Sequence, residues 1–330
     1  MGRKSPPVLE LDKWRGADGM SLTDTQNGRT AGLLRKLGFS GRGLVIAVPT
    51  LWLLVFFLIP FLVVLKISVA EPLIARPPYS PLFATDADGG WSIKATLGNY
   101  KYLLEDSLYI KAYLSSIKIA FFSTIFALLV GYPMAYYIAR SEEPKRSLLL
   151  LLIVLPFWTS FLLRVYAWIG ILKTNGILNA MLLKIGIISE PLIILQTDIA
   201  VYIGVVYTYL PFMILPLYAN LVKLDGSLLE ASSDLGASPI STFFRITLPL
   251  SLPGIIAGSM LVFIPVIGEY VIPALLGGPD TLMIGKVLWT EFFNNRDWPV
   301  ASAVAIAMLI AVVIPVMFLR MAQTKVEENT

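Results

Sequence analysis

Residues 230–249 read EASSDLGASPISTFFRITLP, a patterned and only half-polar segment that lies between two long apolar runs. Just before it, Ser227 and Glu230 have the S-x-x-E spacing of a capping box, so we expect a helix to begin near Leu228. Gly236 is a natural left-handed stop for that helix, because glycine adopts this conformation without steric cost.

A second short helix is expected directly after this stop. Ser238 can cap it, and Pro239 suits its first turn because the missing N–H would have no partner there anyway. The segment is therefore predicted to form a helix, a tight glycine turn and another helix on one face of a membrane. A half-polar unit of this kind between two spans favours a surface on which another protein docks.

The composition is that of an integral membrane protein. Hydrophobic residues make up 56% of the chain and charged residues 15%, and several apolar runs exceed the roughly 18 residues that indicate a spanning helix. The predicted fold class is all-α, with a polar tail over 1–43, a membrane domain over 44–322 and a short tail over 323–330. Six spans are predicted, at about 44–70, 110–139, 148–173, 199–222, 251–276 and 300–320.

The residue inventory excludes several kinds of chemistry. The chain has no cysteine and no histidine, which excludes disulfides, thiol catalysis and histidine relays and leaves few ligands for transition metals. It also has no G-x-x-x-x-G-K-[ST] loop for a nucleotide. We therefore predict no catalytic residue, no metal site and no cofactor bound by this chain. Its net charge of +4 is no evidence for nucleic-acid binding.

Lysine and arginine are distributed unevenly between the two sides of the predicted spans. The first 43 residues carry eight, and the loops on the same side bring the total to fifteen. The opposite loops carry six, namely Arg76, Lys94, Lys101, Lys184, Lys286 and Arg296. The positive-inside rule then places both termini and the 230–249 segment in the cytoplasm.

The 230–249 segment also resembles a known motif, the EAA loop of bacterial ABC-importer permeases. Ser232 stands where that family usually has a second alanine, a small residue for a small one. In the family this loop holds the coupling helices, which sit in a cleft of the ATP-hydrolysing subunit. The resemblance gives an ATPase-coupling role, within an EAA loop of about 227–249, to Glu230, Ala231, Ser232, Asp234, Gly236, Ala237, Ile246, Leu248 and Pro249.

Three further stretches resemble the permeases of polyamine importers, most closely the first permease of putrescine importers. They are LPFWTSFLLRVYAWIGIL at 155–172, GEYVIPALLGGPDTLMIG at 268–285 and EFFNNRDWPVASAVA at 291–305. The resemblance implies a type I importer permease fold (MetI-like) in the bacterial inner membrane. It also implies a second, homologous permease, two ATPase subunits that bind ATP and magnesium, and a periplasmic polyamine-binding protein. Putrescine is the expected cargo, with spermidine or another organic cation as the alternative.

Two charged residues lie inside predicted spans, where charges are costly and usually paired or functional. Arg164 lies about 24 Å and Glu269 about 27 Å from the cytoplasmic starts of their spans at 1.5 Å per residue. This similar depth permits an ion pair between them. The functional alternative is that Glu269 attracts a cationic cargo while Arg164 keeps the cargo from being held too tightly.

Aromatic residues near these charges are candidates for the same pathway, because a cation is attracted to the face of an aromatic ring. Trp158 and Tyr166 are eight residues apart and would share a face of a continuous helix, and Tyr270 follows Glu269. Packing against lipid or neighbouring helices is the alternative for each ring.

A secondary transporter is the main competing class. Such a protein uses internal ion-coupling carboxylates and usually has more spans with a detectable repeat. In this chain Glu269 is nearly alone among the spans, and a secondary transporter leaves the 230–249 segment unexplained.

Overall fold

A computed structural model describes residues 41–85 and 91–328, so most of the predicted tail 1–43 lies outside the described residues. The described chain is helical apart from loops and a two-stranded antiparallel hairpin, Phe83–Thr85 with Trp91–Ile93, which the all-α prediction omits. The helices are α1 (Gly41–Leu53), α2 (Ile59–Ser68), α3 (Gly98–Glu105), α4 (Ser107–Arg140), α5 (Lys145–Val154), α6 (Phe161–Leu172), α7 (Ile177–Ile185), α8 (Asp198–Leu221), α9 (Gly226–Asp234), α10 (Pro239–Thr242), α11 (Leu248–Leu250), α12 (Leu252–Ile267), α13 (Val271–Leu275), α14 (Ile284–Trp289) and α15 (Trp298–Glu328).

The chain divides into two compact units, Met1–Val63 and Val64–Thr330. The boundary between these units lies inside the first predicted span. At the other end, α15 continues to Glu328, so the predicted C-terminal tail begins within a helix.

Among the described residues, four helices are long and apolar enough to cross a membrane: Val45–Ser68, Ser107–Arg140, Phe161–Ile185 and Asp198–Leu221. A fifth crossing is present if Pro239–Leu250 and Leu252–Ile267, which are bent by 65° relative to each other, count as one. The sixth predicted span corresponds to the apolar part of α15, Trp298–Ile314, which is shorter than the other four helices.

Two predicted spans are broken. The span predicted at 148–173 is interrupted, since α5 passes into a 3-10 turn at Leu155–Trp158 and α6 begins only at Phe161. Pro156 lies in that turn, where it removes a backbone donor and disfavours the α-helix. The span predicted at 251–276 ends as a regular helix at Ile267, and the short helix α13 follows.

The core of the second unit is formed by α4, α8 and α12, whose facing side chains are fully buried. Gly254 and Gly258 of α12 have the small-x-x-x-small spacing that lets membrane helices approach closely. A Cβ at Gly258 would lie 2.8 Å from the Met213 sulfur and 3.0 Å from the Met213 carbonyl oxygen of α8. The backbones of these two helices are therefore close enough that only glycine fits between them.

Candidate functional site

The first helix of the 230–249 region begins earlier than the capping box predicts. Its N-cap is Asp225, whose carboxylate accepts a hydrogen bond from the Ser227 N–H at 3.0 Å, and α9 begins at Gly226. The predicted start near Leu228 with Ser227 as the cap is therefore wrong, because aspartate two residues upstream satisfies the free amide. This backbone hydrogen bond lowers the pKa of Asp225 below its usual value.

The predicted glycine stop is confirmed. Gly236 has a φ of 77°, in the left-handed region. The Gly236 N–H donates to the Ser233 carbonyl at 2.9 Å, and the Ala237 N–H donates to the Ser232 carbonyl at 3.1 Å. These two bonds form a Schellman motif, which satisfies the last carbonyls of α9 and reverses the chain.

The second helix starts as predicted. The Ser238 hydroxyl caps α10 by accepting from the Ser241 N–H at 3.3 Å, and Pro239 occupies the first turn. We call residues 226–249, which contain α9, α10 and the turn between them, the coupling hairpin. Its two helices are held together by a buried hydrogen bond of 2.8 Å between the hydroxyls of Ser232 and Thr242. An alanine at 232 could not make this bond.

The nine residues assigned to coupling differ in exposure. Ser232 is buried, and Ala237, Ile246 and Leu248 are partly buried, so these four support the hairpin from within. The remaining five are exposed and available to a partner, namely Glu230, Ala231, Asp234, Gly236 and Pro249.

Three apolar side chains that sequence reasoning did not single out are also exposed on this hairpin. Leu235 is 88% exposed at the turn, and Ile240 and Phe244 are exposed just beyond it. Large apolar residues on a polar segment mark protein interaction sites. Their signal in the sequence was the alternation of apolar residues with the small and polar ones around Gly236.

The hairpin is connected to the core through aromatic and hydroxyl contacts. The Phe243 ring packs edge-on against Tyr132 of α4 with 5.5 Å between the ring centroids. The Tyr132 hydroxyl in turn shares a buried hydrogen bond of 2.8 Å with the Ser251 hydroxyl, just before α12. These contacts join the hairpin to α4 and to the start of α12.

Glu269 lies at the break after α12, and its carboxylate already has three donors. It accepts from the Tyr209 hydroxyl at 2.6 Å and from the N–H groups of Val271 and Ile272 at 2.9 and 3.3 Å. The residue is 8% exposed. It caps α13 and joins this short helix to α8, because the first amides of a helix have no partner within the helix itself.

The ion pair between Arg164 and Glu269 does not form in this structure. Within the described residues the only ion pair is Lys101 with Glu105. The Arg164 guanidinium carbon instead lies 5.5 Å from the ring centroid of Phe157, and its buried Nε has no hydrogen-bond partner in the described chain. Similar depth in the sequence did not place the two charges together. Arg164 lies against aromatic rings, whereas Glu269 is occupied by the Tyr209 hydroxyl and two backbone N–H groups.

The aromatic pathway candidates occupy different surroundings. Trp158 and Tyr166 are both exposed, but they lie on separate helical segments because the chain is not helical at residues 159–160, so the shared-face prediction is wrong. Tyr270 is partly buried and stacks on Trp289, with 4.4 Å between the ring centroids. The structure thus places only Tyr270 next to Glu269.

The sequence that forms the three-helix core and the coupling hairpin matches a known family. Residues 127–325 match the family described as binding-protein-dependent transport system inner membrane component. The chain belongs to this family. It is therefore a multi-pass inner membrane permease subunit of a transport system and not itself an enzyme.

Curated relatives cover most of this inner membrane component. It is 43% identical over 267 residues to the spermidine/putrescine transport system permease protein PotB of Haemophilus influenzae, covering 81% of this chain and 88% of the relative. It is 42% identical over 260 residues to the PotB protein of Escherichia coli K12, covering 78% and 89%.

Solved structures confirm the predicted fold of this inner membrane component. A bacterial ABC transporter involved in the import of the acidic polysaccharide alginate contains a chain that matches with a TM-score of 0.63. The match covers 92% of this chain and 99% of that one at 15% identity, and so concerns the fold alone. The ABC importer permease fold implied by the resemblance to importer permeases is thereby confirmed.

Proposed function

We propose that this chain is the permease subunit of an ATP-driven importer that carries polyamines, most directly putrescine, from the periplasm to the cytoplasm. The identity of 42–43% to relatives named as spermidine/putrescine permeases is the observation that supports the substrate class. The exposed, apolar coupling hairpin supports the ATP-driven mechanism, because a self-contained transporter needs no such docking surface.

The coupling hairpin is the proposed contact with an ATPase subunit. Leu235 and Ile240 would enter the cleft of that subunit, and Glu230 would contact its rim. Closure of the two ATPase subunits would move the hairpin, and the Phe243–Tyr132 contact would carry the movement to α4 and α12. ATP and magnesium would be bound by the ATPase subunits, since this chain has no nucleotide loop.

A second permease and a periplasmic binding protein complete the proposed assembly. The chain would contribute half of the pathway, with Glu269 and Tyr270 near the break after α12 as its cation-attracting residues. Arg164, Trp158 and Tyr166 would line the path farther from that break. Both termini and the hairpin would lie in the cytoplasm, as the excess of lysine and arginine on their side predicts.

The test is uptake of radiolabelled putrescine and spermidine by cells with and without this chain. We expect uptake of at least one polyamine to require the chain, and to stop when the partner ATPase carries a substitution in its nucleotide loop. Uptake that persists with the inactive ATPase would support a secondary transporter instead. Absence of uptake of both polyamines, with a correctly assembled complex, would contradict the substrate class.

A further inference from the structure

The end of the molecule opposite the coupling hairpin carries a pocket of about 1050 Å³. The two ends are fixed by α4, in which Tyr132 contacts the hairpin and Tyr109, about 35 Å away along the helix, donates to the Glu291 carboxylate at 2.9 Å. We call this cavity the outer pocket. It lies between the loop at 71–80 and the segment at 292–298.

Two arginines, Arg76 and Arg296, line the outer pocket from its two sides. Both are exposed, and neither has an ion pair among the described residues. Two acids of the adjoining segment accept hydrogen bonds from other groups. Glu291 accepts from Tyr109 and from the Asn295 side chain at 2.9 Å each, and Asp297 accepts from the Val300 N–H at 3.0 Å.

Arg296 is held in an unfavourable backbone conformation. Its φ of 54° lies in the left-handed region, which is unfavourable for a residue with a side chain. The conformation is fixed from both sides: the Asn295 N–H donates to the Thr290 carbonyl, and the Asp297 N–H donates to the Glu291 carbonyl, each at 2.9 Å. Strain of this kind persists where the surroundings impose it, and it is common at functional sites. Here it presents the arginine side chain to the pocket.

The floor of the outer pocket is aromatic. Phe292 and Trp298 stack almost parallel, at 4° with 5.1 Å between ring centroids, and Tyr79 packs against Trp298. Leu73 and Ile74 are exposed at the rim. Arginine and aromatic residues around a concave apolar surface are the composition typical of residues that dominate protein–protein binding.

The charge of the outer pocket indicates whether it binds the cargo or a partner. A polyamine is a cation, and two unpaired arginines repel it, so the outer pocket is not a cargo site. The same arginines attract carboxylates, which bind guanidinium groups with two hydrogen bonds. The occupant must therefore be anionic, and it must also cover exposed apolar side chains.

We propose that the outer pocket receives an acidic surface loop of the periplasmic substrate-binding protein, whose carboxylates pair with Arg76 and Arg296 over the aromatic floor. This inference rests on the proposed function, in which the pocket faces the periplasm. It assigns one end of the permease to the binding protein and the other to the ATPase. An anionic lipid headgroup shares the carboxylate's charge and is the competing occupant that the experiment must separate.

Site-specific cross-linking tests the occupant directly, because the chain has no cysteine. A single cysteine is introduced by Ile74→Cys, an exposed position at the rim of the outer pocket that leaves both arginines in place. It is coupled to a benzophenone maleimide and irradiated in the assembled complex with the transporter's own binding protein. We expect an adduct with that protein. The control is Lys101→Cys, an exposed position elsewhere on the same side, which should give none. Adducts only with lipid or the second permease, or none at all, would overturn the proposal.

Affinity measurements test the charge. The double variant Arg76→Ala, Arg296→Asn removes both cations, and asparagine tolerates the left-handed backbone at 296. We expect binding of the binding protein to the complex in nanodiscs to weaken about tenfold or more, as for loss of a charged interface pair, and to lose much of its salt dependence. Lys101→Ala should change neither. Unchanged affinity in a variant that keeps the normal melting temperature and basal ATPase rate would contradict the pairing.

Two results distinguish a wrong docking site from a wrong proposed function. If the complex imports no polyamine but its own binding protein still cross-links at residue 74, the substrate class is wrong and the docking site stands. If polyamine uptake is normal and residue 74 gives no adduct with the binding protein, the docking site is wrong and the function stands.

Discussion

At the scale of single residues, the coupling hairpin depends on the backbone conformation of Gly236 and on the hydroxyl group of Ser232. Gly236 is left-handed, and a Cβ there would contact no atom within 4 Å. The constraint at this position is therefore purely conformational. Ser232 contributes in a different way, through its buried hydrogen bond to Thr242.

We expect Gly236→Ala to destabilise the hairpin by about 1 kcal/mol, because an alanine is strained in the left-handed region. The turn would open for part of the time, and coupling of ATP hydrolysis to transport would weaken although the complex still assembles. The measurement is the ratio of transported cargo to hydrolysed ATP in proteoliposomes.

Gly226 provides the matched control for this substitution. A Cβ at Gly226 also contacts nothing within 4 Å, but the residue lies in the first turn of α9 without a left-handed φ. Gly226→Ala should therefore leave coupling unchanged. Equal effects of the two substitutions would contradict the assigned role of the glycine turn.

At the scale of helices, α12 is bounded by two features that the apolar run at 251–276 does not reveal. At its start it contacts α8 through Gly254 and Gly258, and at its end Glu269 caps the next short helix. Both features place α12 against α8, first by close packing and then through the Tyr209 hydroxyl.

We expect Gly258→Ala to lower the melting temperature of the purified complex clearly, because the added methyl group meets the backbone and the sulfur of Met213. Overpacking of this kind typically costs about 1–3 kcal/mol. Gly170→Ala is the control, since Gly170 is within α6 and a Cβ there meets nothing within 4 Å. A melting temperature that falls equally in both variants would refute the close-packing argument.

The role of Glu269 is tested by Glu269→Gln, whose amide oxygen can still cap Val271 but carries no charge. If the charge attracts cargo, putrescine uptake should fall about tenfold, a loss of 1.4 kcal/mol. Tyr209→Phe is the matched control, because it removes the hydroxyl donor and leaves the carboxylate charged. A well-folded Glu269→Gln complex with full uptake, or equal losses in both variants, would restrict Glu269 to a structural role.

At the scale of the whole molecule, the two functional surfaces lie at opposite ends of α4, the hairpin at one end and the outer pocket at the other. The sidedness of the chain then determines which partner each surface meets. The excess of lysine and arginine predicts the hairpin in the cytoplasm.

This topology can be measured with single cysteines in the cysteine-free chain. We expect Leu235→Cys to react with a membrane-impermeant maleimide only in inverted vesicles, and Lys101→Cys only in spheroplasts. The chain is labelled without its ATPase subunits, which leaves Leu235 uncovered. Both side chains are then well exposed, so the membrane alone determines which of them reacts. The reverse pattern would invalidate the charge-based orientation and, with it, the assignment of the outer pocket to the periplasm.

Local signals explain why the coupling hairpin was largely predictable and the pathway was not. The Gly236 turn and the Ser238–Pro239 start depend on neighbouring residues, and both were predicted correctly. The S-x-x-E spacing predicts Ser227 as the cap, but Asp225, two residues upstream, caps the helix instead. The Arg164–Glu269 pair required knowledge of which helix faces meet, and depth along two separate spans does not contain it.

The sequence by itself determined the membrane class, the coupling hairpin and the family, because apolar length, turn residues and motif spacing are local properties of the chain. The tertiary structure alone decided the partners of Glu269, the close contact at Gly258 and the outer pocket. Arg76 and Arg296 are 220 residues apart in sequence and line one cavity only after folding. Contacts of this kind depend on how helices pack, and packing is a property of the whole folded unit.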